Sequence, residues 1–403
     1  MPTESCRLCS SRDLDLILDL GHHPLADTFL KKGQLLQPET TYPLQVLLCR
    51  ACGHATSAFE VSEAKRYQEN EYSYDSSNSK VSVQHFNDFA ENVIFREGVG
   101  KEDLVVDIGS NVGTLLEAFR FQSGAKIMGV EPSANIASLA EKNNIPTIQD
   151  FFGDSAVQRI LKVGKAKVIT TTNVFNHIGN LDSLMRNILK ILSTDGVFVI
   201  EVPYLLHLVQ KRAFDTIYLE HVSYFAVKPL AKYFEKFGLI ITDIIENDYM
   251  GGSIRLYVHF GSKHAPVVEK STAKEEKAKL YSLDTYKKFS AEMLEFKMSL
   301  LEQIIKARTL GGKIIGIGAA TKGNTLLNYC KIDGTLLDFI TDASPLKVGK
   351  YTPGSHIPIL SDEVINKDVT HAIILPWNIA DFLKNKLAAR YPKLAFIVPH
   401  MGQ

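Results

Sequence analysis

The segment from Leu104 to Thr114 constrains this chain more than any other. Leu104-Val105-Val106 suits a buried strand, and Asp107-Ile108-Gly109-Ser110-Asn111-Val112-Gly113 then carries two glycines that let a tight turn bring backbone close to a ligand. Thr114 to Phe119 opens a helical pattern. A second apolar strand, Lys126 to Val130, ends on Glu131, eighteen residues after Gly113. A carboxylate at that position is suited to gripping two ribose hydroxyls, a device shared with dinucleotide folds, so the loop must decide the ligand. Here it is Gly-x-x-x-Gly with an acid two residues before the first glycine. Such a loop fits a cationic sulfonium without pyrophosphate better than it fits NAD, and it reads as a site for S-adenosylmethionine (SAM). The bland alternative is a strand-to-helix turn with no ligand.

Cysteine spacing adds a metal. Cys6-x-x-Cys9 and Cys49-x-x-Cys52 are two knuckle-like pairs separated by 39 residues, and four thiolates at this spacing close a tetrahedral Zn²⁺ site. With all four ligands sulfur, no coordination position stays open for water, so the metal is assigned to folding and not to catalysis. Cys330 stands alone and reads as a small buried hydrophobe.

The 403 residues suffice for two or three domains. Lys plus Arg and Asp plus Glu balance at 45 each, which gives no electrostatic case for nucleic acid or an anionic membrane. No apolar run approaches a membrane span and the N-terminus lacks a signal-peptide core, so the expected location is cytoplasmic.

Three units are expected. Residues 1–70 form a small zinc-binding domain, too small for a generous apolar core. Residues 71–260 form a doubly wound α/β domain with strands at Leu104 to Ile108, Lys126 to Val130, Lys167 to Thr171, Gly196 to Glu201 and Ile240 to Ile245, and a last strand over Gly251 to Phe260. Residues 261–403 begin with linker helices, since Glu269 to Arg308 has helical spacing without glycine or proline, and continue as a second βαβ pattern from Lys313.

Ligands of α/β sheets sit beyond the carboxyl ends of the strands. Two segments there carry chemistry: Asn173-Val174-Phe175-Asn176-His177, and Tyr218-Leu219-Glu220-His221 within Phe214 to Phe225. No convincing serine or cysteine nucleophile is present. A histidine of near-neutral pKa suits removal of a carbon proton made acidic by a neighbouring ketone, while a tyrosine or second histidine steadies the enolate oxygen. That pairing points to methylation at carbon.

Taken together, the chain resembles the sugar C-methyltransferases of deoxysugar biosynthesis, which join a zinc-binding domain, a SAM-binding domain and a C-terminal Rossmann-like domain. The resemblance rests on Cys6, Cys9, Cys49 and Cys52, on Tyr72-Ser73-Tyr74-Asp75-Ser76-Ser77, on Asp107 to Thr114, Asn173 to His177, Tyr218 to Phe225 and Gly251-Gly252-Ser253, and on Gly318-Ala319-Ala320-Thr321-Lys322-Gly323-Asn324. It implies a nucleotide-linked 4-keto-deoxysugar methylated at C3, with C5 also known in the family. His221 matches the general base, with Glu220 and Tyr218 beside it, and Tyr72 and His177 match the enolate-side pair, Tyr74 being the alternative to Tyr72. Cofactor contacts fall on Asp107, Gly109, Asn111, Gly113, Glu131 and Asn173. Ser253, Arg255 and Lys322 are expected at the diphosphate or sugar.

Two rivals remain at this point. Gly316-Ile317-Gly318 follows a strand and opens a helix, with Asp342 at the end of the next strand, so an NAD-linked sugar-nucleotide oxidoreductase could work there. A zinc-containing module that binds SAM without catalysis is the other. Oligomeric state is left open.

Overall fold

The computed structural model describes residues 1–69 and 71–399. Three sheets organise the described residues. The first is antiparallel, in the order Leu14–His23, Tyr42–Cys49, Ala55–Ser57 and Ser223–Tyr224. Its fourth strand comes from far along the chain and pairs Ala55 with Tyr224 and Thr56 with Ser223.

The second sheet has seven strands, in the order Leu239–Asn247, Ser253–Phe260, Leu192–Pro203, Ala166–Thr172, Leu104–Ile108, Lys126–Val130 and Thr147–Ile148. Ser253–Phe260 runs antiparallel to both neighbours and the other pairings are parallel. A parallel sheet covered by helices on both faces buries every residue of its central strands, which is why Val105, Val106, Val168, Ile169, Phe198, Val199 and Ile200 are fully buried and read as continuous apolar runs. The expected strand from Gly251 begins instead at Ser253, because Gly251 and Gly252 take φ of +100° and +134° and belong to the turn before it.

The glycine-free stretch becomes two helices, Pro266–Lys277 and Leu283–Thr309, with proline in the first turn of the former, where its missing N–H costs nothing. They lead to a parallel five-stranded sheet, in the order Ile359–Leu360, Phe339–Thr341, Lys313–Ile317, Val369–Ile374 and Ala395–Ile397. Glu275, from the first connecting helix, is fully buried and accepts hydrogen bonds from Tyr204 and Tyr281 hydroxyls and from the Val227 and Lys228 amides, so an acid from the linker caps the helix Val227–Glu235 of the central unit. Among the described residues no helix is long and apolar enough to cross a membrane.

Candidate active site

The loop after Leu104–Ile108 has the shape its sequence requires. Gly109 sits at φ +71°, and a Cβ there would stand 2.4 Å from Val174 Cγ2, so only glycine lets this turn lie against the segment after Ala166–Thr172. Glu131 is buried, with Oε2 accepting from the Asn111 amide at 3.1 Å and Oε1 from the Ser133 amide at 2.8 Å. Each oxygen keeps a lone pair for a ribose hydroxyl. Asp107 accepts from Thr170 Oγ1 at 2.7 Å, and burial pushes its carboxyl up to about 7. Gly113 caps the helix Thr114–Ser123 at φ +84°, and Asn173, at φ +54°, donates its amide to the Glu201 carbonyl.

Residues 72–76 cross this loop. Tyr72 exchanges two hydrogen bonds with the Asn135 side chain, and the Asn111 side chain donates to Tyr74 O and accepts from the Ser76 amide. Ser73 donates to Asp27, whose carboxylate also accepts from Thr321 Oγ1 at 2.7 Å. A buried acid from the N-terminal unit thus ties the crossing segment to the start of the C-terminal helix Thr321–Cys330.

Beside this crossing, the structure brings His177, Tyr218 and His221 together, with Tyr72 joined to His177 through the Tyr67 ring. The two imidazoles stand 4.7 Å apart, edge to face, and the Tyr218 ring lies 3.8 Å from that of His221. His221 Nδ1 is 2.8 Å from the Thr216 carbonyl, which can only accept, so Nδ1 carries the proton and Nε2 presents a lone pair. Burial lowers the His221 pKa to about 3 and holds His177 well below its ordinary value, so both rings are neutral. Burial also raises Tyr72 and Tyr218, which keeps both phenols protonated as donors. Glu220 Oε1 accepts from the Asp27 amide at 2.9 Å, Oε2 has no partner among the described residues, and burial pushes the carboxyl up to about 7.

Other expected site residues lie elsewhere. Tyr74 points toward Tyr249, with hydroxyls 3.5 Å apart, whereas the Tyr72 ring meets Tyr67 edge-on at 5.6 Å. Arg255 is buried in an ion pair with Glu201 at 2.9 Å and stacks on Phe89, and His85 and Asn247 also bind that carboxylate. Ser253 is fully buried and donates to the Tyr249 carbonyl. Alternation along Ser253–Phe260 turns these two side chains inward, where their polar groups are already satisfied. Lys322 stands 4.5 Å above the Trp377 ring with Nζ on Asn378, close to Asp215. The sequence did not single out Arg66, Tyr67 or Asp27, all of which support the histidine pocket.

The four cysteines gather as their spacing requires, with all Sγ atoms within 4.8 Å of one another. Cys6–Cys52 and Cys9–Cys49 sulfurs are 3.6 and 3.5 Å apart, far beyond a disulfide and near the edge of about 3.8 Å that a zinc–sulfur bond of roughly 2.3 Å gives a tetrahedron. The donor set fits Zn²⁺ as a closed structural site.

Comparison with known proteins accounts for the whole chain. Residues 6–67 match a family described as a putative zinc binding domain, 92–244 a methyltransferase domain, and 248–399 a C-methyltransferase C-terminal domain. The C-methyltransferase NovU of Streptomyces niveus is 32% identical over 405 residues, covering 99% of this chain and 96% of its own. Among solved structures, a SAM-dependent methyltransferase from Clostridium acetobutylicum ATCC 824 is 15% identical, covers 45% of this chain and 92% of its own, and superposes with a TM-score of 0.37. Magnesium protoporphyrin IX methyltransferase from Synechocystis PCC 6803 with bound SAM is 13% identical, with coverage of 44% and 80% and a TM-score of 0.33.

Proposed function

Because this chain belongs to the family of SAM-dependent C-methyltransferases, we propose that it methylates C3 of a nucleotide-linked 4-keto-deoxysugar through an enolate. The observation that carries this reading is the pair of buried neutral histidines 4.7 Å apart, one of which presents a free ring lone pair. SAM, held by Glu131 and the Asp107 to Gly113 loop, supplies an electrophilic methyl group.

His221 Nε2 takes the proton alpha to the ketone. Burial keeps it unprotonated at neutral pH, so the lone pair is available, but leaves it a weaker base than the near-neutral histidine expected from the sequence. Tyr72 and His177 donate to the keto oxygen as charge develops there, and donors fixed in a dry pocket stabilise it without reorganising. Tyr218 packs on the His221 ring and holds its plane. Glu220, when ionised, favours the imidazolium that proton transfer creates.

An NAD-linked reading of the Gly316 to Asp342 unit finds no favouring observation. Asp27 already sits on Thr321 at the helix N-terminus where a pyrophosphate would bind, and Asn324 donates to the Ala26 carbonyl. Four thiolates gathered for zinc and one lone buried thiol suit a reducing compartment, and we place the protein in the cytoplasm.

The test supplies methyl-labelled SAM and a panel of nucleotide-linked 4-keto sugars, with detection of a mass gain of one methyl group. His221→Asn is expected to cut turnover by about 10² to 10⁴ and to abolish deuterium exchange at the alpha carbon in D₂O, with SAM affinity retained. Unchanged turnover in that variant refutes the assignment.

A further inference from the structure

Tyr67 is the last residue of the short helix Glu63–Tyr67, at the end of the zinc-bearing unit, and its hydroxyl lies 2.6 Å from His177 Nδ1. Its ring meets Tyr72 edge-on at 5.6 Å. Arg66, beside it in sequence, is buried and donates to the His177 carbonyl at 2.8 Å and to the Glu220 carbonyl at 3.2 Å, so this helix fixes both the backbone and the ring of His177.

A neutral imidazole has one N–H and one lone pair, and the partner of one nitrogen decides what the other offers. For His221 the partner is a carbonyl, which forces Nδ1–H and leaves Nε2 as an acceptor. For His177 the partner is a phenol. A phenol O–H is a much stronger donor than a neutral imidazole N–H, and an imidazole nitrogen a much stronger acceptor than a phenol oxygen. The Arg66 guanidinium, 5.3 Å from the Tyr67 ring centroid, polarises the hydroxyl further toward donation. Nδ1 therefore accepts, and the proton of His177 resides on Nε2.

We infer that Tyr67 is a positioning residue that locks His177 as its Nε2–H tautomer, so that two adjacent histidines of the same charge are sorted into a proton acceptor and an oxyanion donor. The inference rests on the enolate reading above for its catalytic consequence, but the tautomer itself does not depend on it. Without the Tyr67 hydroxyl, His177 is free to turn a lone pair toward the keto oxygen, which opposes the charge it should stabilise. Losing one oxyanion donor outright costs about 10² to 10³ in turnover, and a shift that leaves about 10% to 1% of His177 as Nε2–H should cost roughly 10- to 100-fold.

The experiment uses full-length protein with ¹⁵N-labelled histidine, wild type and Tyr67→Phe, with His177→Gln to assign the resonance among twelve histidines. Long-range ¹H–¹⁵N correlation at pH 7 should show His177 as Nε2–H in the wild type and as a mixture or as Nδ1–H in Tyr67→Phe. An unchanged His221 signal, Nδ1–H in both, certifies that the pocket is folded. With SAM and a nucleotide-linked 4-keto sugar, Tyr67→Phe should lose turnover by the stated factor with KM within about threefold, and 3-fluorotyrosine at the position, which keeps the O–H, should restore it. A wild-type His177 found as Nδ1–H, or full turnover in Tyr67→Phe, overturns the inference. A wild type that methylates no keto sugar overturns the enolate reading instead, while the tautomer measurement still decides the role of Tyr67.

Discussion

Removal of the metal should abolish methyl transfer while sparing SAM binding. Structural zinc on four thiolates contributes about 10 to 16 kcal/mol at pH 7, which matches or exceeds the roughly 5 to 15 kcal/mol that holds a whole domain together. The N-terminal unit sets against that loss three antiparallel strands of 10, 8 and 3 residues, whose buried side chains join the core of the central unit. Unfolding it withdraws Arg66 from two carbonyls, Tyr67 from His177 and the Asp27 amide from Glu220, so the histidine pocket loses its supports together. A displacement of about 1 Å in a reacting group can cost 100-fold, and several such losses put the fall in turnover at roughly 10³ or more. The Asn111–Glu131–Ser133 grip depends on that unit only indirectly, through the segment that Ser73 ties to Asp27, so SAM affinity should fall by no more than about tenfold, far less than turnover. The assay chelates the protein, counts released zinc with a metallochromic dye, follows hydrogen exchange over residues 1–69, and measures SAM by calorimetry beside turnover. Metal-free protein with full turnover refutes the reasoning, as does a parallel collapse of SAM affinity.

Three further outcomes are expected. Gly109→Ala, which forces a Cβ into Val174 at a positive φ, should weaken SAM binding by about 5- to 150-fold in calorimetry, strain there costing roughly 1 to 3 kcal/mol. With Glu220 active as the carboxylate and its pKa at about 7, kcat/KM should rise about tenfold from pH 6 to pH 8, because the ionised fraction grows as pH climbs through that value, and Glu220→Gln should flatten the profile. His221, already neutral down to about 3, adds no limb in that window. Glu275→Ala leaves two hydroxyls and two amides without their acceptor and should destabilise by about 3 to 5 kcal/mol, read as a melting midpoint lower by roughly 10 °C with SAM affinity unchanged.

Local pattern carried much of the fold. Leu104–Ile108 and Lys126–Val130 form over the expected residues because a buried parallel strand needs an unbroken apolar run, and the glycine-free linker reads directly as helix. The cysteine spacing was equally legible, since four sulfurs within reach of one ion leave few arrangements. Side-chain partnerships between distant segments were not. Tyr67 finds His177 across 110 positions and Asp27 meets Thr321 across 294, and neither leaves a periodicity or spacing that one sequence can display. Arg255 shows the converse: the family resemblance implied a diphosphate or sugar contact, but the strand's alternation points it at Glu201 in the interior. Strand ends were extended by pairing as well, as Leu192–Pro203 runs beyond its apolar centre to meet Ser253–Phe260.

The strand Ser223–Tyr224 begins two residues after His221 and completes the N-terminal sheet by pairing with Ala55 and Thr56. A gene fusion that merely appends a zinc module to a methyltransferase leaves each half able to evolve alone. Here the loop bearing His221 is woven into the N-terminal half, so exchanging either half for a homologue's would mismatch a β-ladder two residues from that histidine. A chimaera that keeps this ladder intact must therefore carry both of its strands from one parent.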